Sequence, residues 1–195
     1  VVGFDFDANQ ELSGIRFDDR IAFAKAGAQA LPLPAGSVDL HLSVNCVEHI
    51  PDLPASFAEA ARVLRVGGIA FHRTEPLYYS AFGHHLEDIF PAPWAHLLFE
   101  WEELAEIAAK EAAIDGREWA PGEPLEARHI LKHIAPSLNG ALPSGVRQAL
   151  RPGPWALRGW VEIQHPTRRR LARELGVDHA LKGISSEEIL TDGLA

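Results

Sequence analysis

Residues 38–75 hold two short apolar runs on either side of one helix-length segment, and that order leaves few folds open. Val38-Asp39-Leu40-His41-Leu42-Ser43-Val44 alternates apolar and polar side chains, passes into Asn45-Cys46-Val47-Glu48-His49-Ile50, and stops at Pro51-Asp52. Alternation with β-branched residues predicts a strand whose end opens into a polar loop. Pro54 to Leu64 reads as a helix. Asp52 and Pro54 are start signals, Ser56 and Glu59 have capping-box spacing, and Phe57, Ala60, Ala61 and Leu64 form one apolar stripe. Gly67 is expected to act as the left-handed stop, and Ile69-Ala70-Phe71-His72 as the next strand. Strand, helix and strand in this order make a right-handed βαβ unit, the building block of a doubly wound α/β sheet with helices on both faces. Ligands of such sheets lie outside the carboxyl ends of the strands. Asn45–His49 and His72–Glu75 should therefore share one crevice.

The flanking sequence is less regular. Val1-Val2-Gly3-Phe4-Asp5-Phe6-Asp7 opens directly in strand character with an acidic end, residues 8–20 are polar and loop-like, and 20–28 can form another strand. Leu31-Pro32-Leu33-Pro34-Ala35-Gly36 is a turn-rich connection, because proline removes ladder donors. Residues 76–99 are dense in aromatics, prolines and histidines. Trp101–Ala113 is expected to be a helix, as are 125–134, 143–150, 166–175 and 186–190, with a strand over 155–164 and a last strand starting at Thr191. Three stretches of different character follow, over 1–75, 76–150 and 151–195.

Composition narrows the function classes. A formal charge of −9 argues against a general nucleic-acid-binding surface, and the run Arg168-Arg169-Arg170 falls in a helical pattern as its solvated face. One cysteine, Cys46, excludes an internal disulfide and fits a reducing, cytoplasmic setting. No run approaches the ~20 apolar residues that span a bilayer. Oligomeric state is left open.

Three stretches resemble the class I S-adenosylmethionine-dependent methyltransferases, in their small-molecule branch. They are Gln29 to Leu40 (QALPLPAGSVDL), Val47 to Asp52 (VEHIPD) and Ala61 to Gly68 (ARVLRVGG), in that family's order and spacing. The resemblance covers about residues 1–75 and implies S-adenosylmethionine as cofactor, with a cofactor-binding α/β core over 1–75, a substrate-binding lid or insertion over 76–150 and the C-terminal part of the core over 151–195. It implies that Asp5, with Phe6 beside it, meets the ribose hydroxyls. Ala28 and Gln29 would meet the adenine, although the acid usual near Gly27 is absent. Asn45 and Cys46 would lie along the methionine moiety. The family's first strand and glycine-rich turn find no counterpart here. In that fold the missing strand lies between those at 1–5 and 38–44. Either some ~40 residues of a βαβ half lie upstream, or another element fills the gap. A direct ladder between the two strands would contradict the strand order.

Methyl transfer is an in-line displacement, so the protein positions donor and acceptor and, for a hydroxyl acceptor, removes a proton. Histidine suits that task near neutral pH. His84 and His85, after Gly83 and among aromatics, are the first candidates for the base, and His72 the second. Glu48 and His49 can be read as a catalytic pair or as loop residues that cap and bond locally; Cys46 can be a small packed residue. His84, His85, Glu87, Asp88 and His96 have donor types for a divalent metal, but no ligand spacing appears, and none is expected. The reading is methylation of a small molecule, with oxygen as the expected acceptor atom. The alternative is a degenerate methyltransferase-like module serving as a non-catalytic binding or scaffold domain.

Overall fold

The computed structural model describes residues 1–6, 20–164, 170–172, 174–177, 184 and 191–194. The loop expected over 8–20, the helix over 186–190 and most of the arginine run lie outside them, apart from Arg20 and Arg170. The chain divides into two compact units: Val1–Leu42, Asp52–Phe71 and Arg147–Leu157 form the first, and Ser43–Pro51, His72–Val146 and Arg158–Ala195 the second.

In the first unit, β1 (Val2–Asp5) pairs in parallel with β2 (Ala22–Lys25), and Asp5 stands opposite Lys25. β3 (Val38–Val44) pairs with β4 (Leu64–Arg73), and its last two residues, with those of β4, belong to the second unit. Asp39 meets Arg65, Ser43 meets His72, and the Asn45 N–H reaches the Arg73 carbonyl, so residue numbers rise together along both strands. The pair is parallel, as a βαβ unit requires. Among the described residues no ladder joins β1 to β3.

Between β3 and β4 runs α1 (Leu53–Val63), which buries Leu53, Phe57, Ala60 and Val63 along one stripe. Its cap is Asp52, whose carboxylate accepts the Ala55 N–H at 2.9 Å. The capping box expected of Ser56 and Glu59 is not formed. Glu59 instead accepts the Leu31 N–H at 2.6 Å and binds Arg62, whose guanidinium also donates to the Leu31 and Leu33 carbonyls. Two prolines leave that connection short of ladder partners, and one ion pair on α1 supplies them. Nor does Gly67 stop the helix. The chain turns extended at buried Leu64, and the positive φ of Gly67, 78°, lies inside β4.

The second unit opens with turns rather than helices over 76–94. Gly83 has no room for a side chain, since a Cβ there would sit 1.9 Å from the Tyr78 carbonyl oxygen. Trp94, fully buried, adopts a left-handed φ of 58° and donates its indole N–H to the Tyr79 carbonyl at 3.3 Å. Then come α2 (Ala95–Leu98) and α3 (Trp101–Ile114). α3 sets Leu104, Ala105, Ala108 and Ala112 against Leu86, Leu125 and Ile130. The hairpin of β5 (Glu118–Ala120) and β6 (Glu123–Pro124) precedes the helix expected over 125–134. That segment is a short α4 (Ala127–His129) running into a π turn over Ile130–Ile134. α5 spans Pro143–Leu150. The strand expected over 155–164 is reduced to β7 (Glu162–Gln164), paired antiparallel with β8 (Thr191–Leu194).

Candidate active site

The carboxyl ends of β3 and β4 carry the polar groups. Asn45 turns the chain with a φ of 50°, and a 3₁₀ turn over Val47–His49 follows. Asn139 holds that turn. Its side-chain amide donates to the Val47 carbonyl at 2.6 Å and to the Ile50 carbonyl at 2.8 Å, and its backbone N–H donates to the Glu48 carbonyl at 2.9 Å. His49 Nδ1 donates to the Ser137 carbonyl at 3.2 Å.

Glu48 is buried, 2% exposed. Thr74, just past β4, donates its hydroxyl to Glu48 Oε2, while Oε1 is buried without a hydrogen-bond partner. Burial pushes the carboxyl above its ordinary pKa, against the opposing pull of Thr74. Beside it, Arg73 pairs with Glu75, and Ser43 bonds His72 Nδ1 at 2.8 Å. Neither Thr74 nor Asn139 is visible to sequence reasoning as a partner of Glu48. Thr74 offers at most its place after a strand, and Asn139 acts from about ninety residues away.

Four imidazoles of the same unit, His49, His84, His85 and His96, form two edge-on pairs. His84 is fully buried with both ring nitrogens in use: Nδ1 accepts the Leu86 N–H at 2.9 Å, so the proton is on Nε2, which donates to the Ala92 carbonyl at 3.2 Å. His85 is half-buried. Its Nε2 donates to the Pro76 carbonyl at 3.2 Å, which leaves Nδ1 as the basic nitrogen, and its φ of 56° is rare for a residue with a Cβ. His49 packs edge-on against His85 with centroids 5.0 Å apart, and His96 packs against His84 at 5.4 Å. Burial pulls the pKa of His84, His85 and His96 down to about 4, so all three are neutral at pH 7. His85 also lines a cleft of about 290 Å³. Among the described residues no group of three or more His, Cys, Asp or Glu could hold a metal ion.

The residues expected at the cofactor are divided between the units. Asp5 ends β1, the exposed Phe6 follows it, and Ala28 and Gln29 form a turn three residues past β2. Because β1 and β2 are parallel, these four lie at one end of one ladder. Asn45 and Cys46 belong to the second unit, both exposed, with the Cys46 thiol donating to the Val44 carbonyl at 3.2 Å.

Residues 1–72 match a family described as a methyltransferase domain. Over this segment the chain is similar to methyltransferase domains. A ubiquinone/menaquinone biosynthesis C-methyltransferase of Methylobacterium nodulans is 42% identical over 59 residues, 30% of this chain and 23% of that protein. A 27-O-demethylrifamycin SV methyltransferase of Amycolatopsis mediterranei is 39% identical over 61 residues, 31% of this chain and 22% of that one. The matched stretch thus spans less than a quarter of each relative. An S-adenosylmethionine-dependent methyltransferase structure from Mesorhizobium loti has the same fold, with a TM-score of 0.51 over 99% of this chain and 76% of that chain at 17% identity. No described helix is long and apolar enough to cross a membrane.

Proposed function

We propose that the protein transfers a methyl group from S-adenosylmethionine to a hydroxyl of a small molecule. The observation that carries the reading is the parallel β1–β2 end, inside the family-matched segment. It offers a carboxylate, an exposed aromatic and a backbone turn side by side. That donor set fits the cofactor. Asp5 can accept from two vicinal ribose hydroxyls, Phe6 gives an apolar surface, and the Ala28–Gln29 turn presents amide groups to an adenine edge. Asn45 and Cys46 are the residues proposed to hold the methionine end. When bound, the cofactor supplies an electrophilic methyl on a positively charged sulfur.

The acceptor side rests on His85. Its Nδ1 carries a lone pair, the ring is oriented by the Pro76 carbonyl, and the ring stays neutral across the working pH range. It takes the proton that a hydroxyl acceptor must lose as oxygen attacks carbon. His84, with both nitrogens committed to the backbone, holds the turn that aims His85. Oxygen is favoured over carbon as the acceptor atom because a neutral imidazole in a cleft matches a hydroxyl proton.

The experiment has two arms. Calorimetry with S-adenosylmethionine and its demethylated product should show binding; its absence from the folded chain would favour the scaffold reading. Labelled methyl transfer to hydroxylated acceptors should then fall by roughly 10²–10⁴-fold in kcat for His85→Asn, with cofactor affinity unchanged. A His85→Asn variant with full turnover would remove the base.

A further inference from the structure

We propose that the cleft walled by His85 selects an acceptor bearing a cationic group, an amine or quaternary nitrogen, alongside the hydroxyl to be methylated. This rests on His85 acting as the base. At about 290 Å³ the cleft is at the small end of ligand sites, room for one ring and a short tail. Its apolar part is built from Leu86 and Leu125, both buried, and Ile89, a surface that suits hydrocarbon or an aromatic face. The charged part is one-sided. Glu87 and Asp88 come from the turn that follows His85, and Glu118 from β5, against a single guanidinium, Arg117.

Arg117 does not restore balance. It has Asp115 at 3.9 Å, a fourth carboxylate close to the cleft. Glu118 is fixed in place, since its Oε2 accepts the Gly122 N–H at 2.9 Å. His85 adds no positive charge, because burial keeps it neutral. A concave site with excess negative charge raises the local concentration of cations and repels carboxylates. The apolar part sets the size of the ligand, the imidazole its reacting group, and the carboxylates its charge.

The test compares three probes with one phenol ring and different tails: tyramine (cationic), tyrosol (neutral) and para-hydroxyphenylacetate (anionic). Binding is followed by NMR on the methyls of Ile89 and Leu125. Tyramine should bind about tenfold more tightly than tyrosol, and the anion most weakly. The double variant Glu87→Gln/Asp88→Asn, at two exposed positions, should bring tyramine within about twofold of tyrosol, while Arg117→Gln should tighten tyramine further. Equal binding of tyramine and tyrosol, preference for the anion, or no methyl response to any probe would overturn the proposal. Calorimetry with S-adenosylmethionine on the same sample separates the two readings. Cofactor binding without charge selection defeats only this inference, whereas loss of cofactor binding defeats the function it rests on.

Discussion

The two units bury their apolar residues very differently. In the first, Val2, Phe23, Leu40, Leu42, Ile69 and Phe71 all lie on strands and all remain at least 42% exposed. Its buried side chains belong mostly to α1. In the second, Leu77, Ala81, Leu86, Trp94, Leu104, Ala105, Ala108 and Ile130 are each at most 1% exposed. The family match ends at residue 72, so nearly all of the second unit's core lies beyond it. What identifies the chain is thus not what packs it. The matched stretch carries the proposed cofactor end, while the unmatched stretch supplies the dry surroundings that keep imidazoles neutral. The proposed acceptor chemistry therefore falls in the part about which relatives say least.

The sharpest way to break this contrast is to open a cavity. Trp94→Ala removes the largest fully buried side chain and should cost about 3–5 kcal/mol, measured by urea unfolding. A loss below ~1 kcal/mol would mean that the second unit is not the stable one. Acid is the next probe. His84, His85 and His96 have pKa values near 4 when folded against 6.5 when exposed, so the unfolded chain binds protons first as pH falls. Stability is lost through that window, by at most about 1.4 kcal/mol per histidine per pH unit. Glu48 acts in the opposite sense, because its raised pKa makes the folded state hold a proton above 4.5, but it is one group against three. Between neutral pH and about pH 5 the net loss should be a few kcal/mol. Hydrogen exchange should show it in the second unit; protection lost first in β1 and β2 would contradict the assignment.

Smaller effects test the first unit. Asp5→Ala should weaken binding of S-adenosylmethionine by about 1–3 kcal/mol, the range for losing a charged acceptor, with the fold intact. Unchanged affinity by calorimetry would move the ribose contact elsewhere. Leu42→Thr, at a position 60% exposed, should alter stability by no more than about 0.5 kcal/mol. A loss of 2 kcal/mol or more, roughly a core-sized cost, would show that this face is covered in solution.

How much of this was legible depended on the range of the interaction. β3 was found from alternation and β-branched residues, and α1 and α3 from apolar spacing, because neighbours within four residues decide both signals. The failures are long-range. Glu59 leaves a local cap for Leu31, twenty-eight residues away, because the backbone of the proline-rich connection needs a partner more than the helix does. Gly67 looked like a helix stop, yet Leu64 is buried and carries the chain into β4 earlier. In the sequence, His84 and His85 after Gly83 are equal candidates for the base. The structure instead shows a glycine forced by backbone contact and an imidazole used at both nitrogens. Residue type does not separate His84 from His85; their hydrogen bonds do.

The Asn139 amide that clasps Val47 and Ile50 also sets a schedule. The two contacts close loops of 92 and 89 residues, so the turn after β3 depends on a partner made much later. At a synthesis rate of ~5–20 residues per second, that partner follows the turn by roughly 5–20 s. During that interval β3, α1 and β4 can form from near neighbours, while the turn bearing Glu48 and His49 stays unclasped. The scaffold of this protein can thus assemble while it is still being made, but the turn bearing Glu48 and His49 cannot set until Asn139 has left the ribosome.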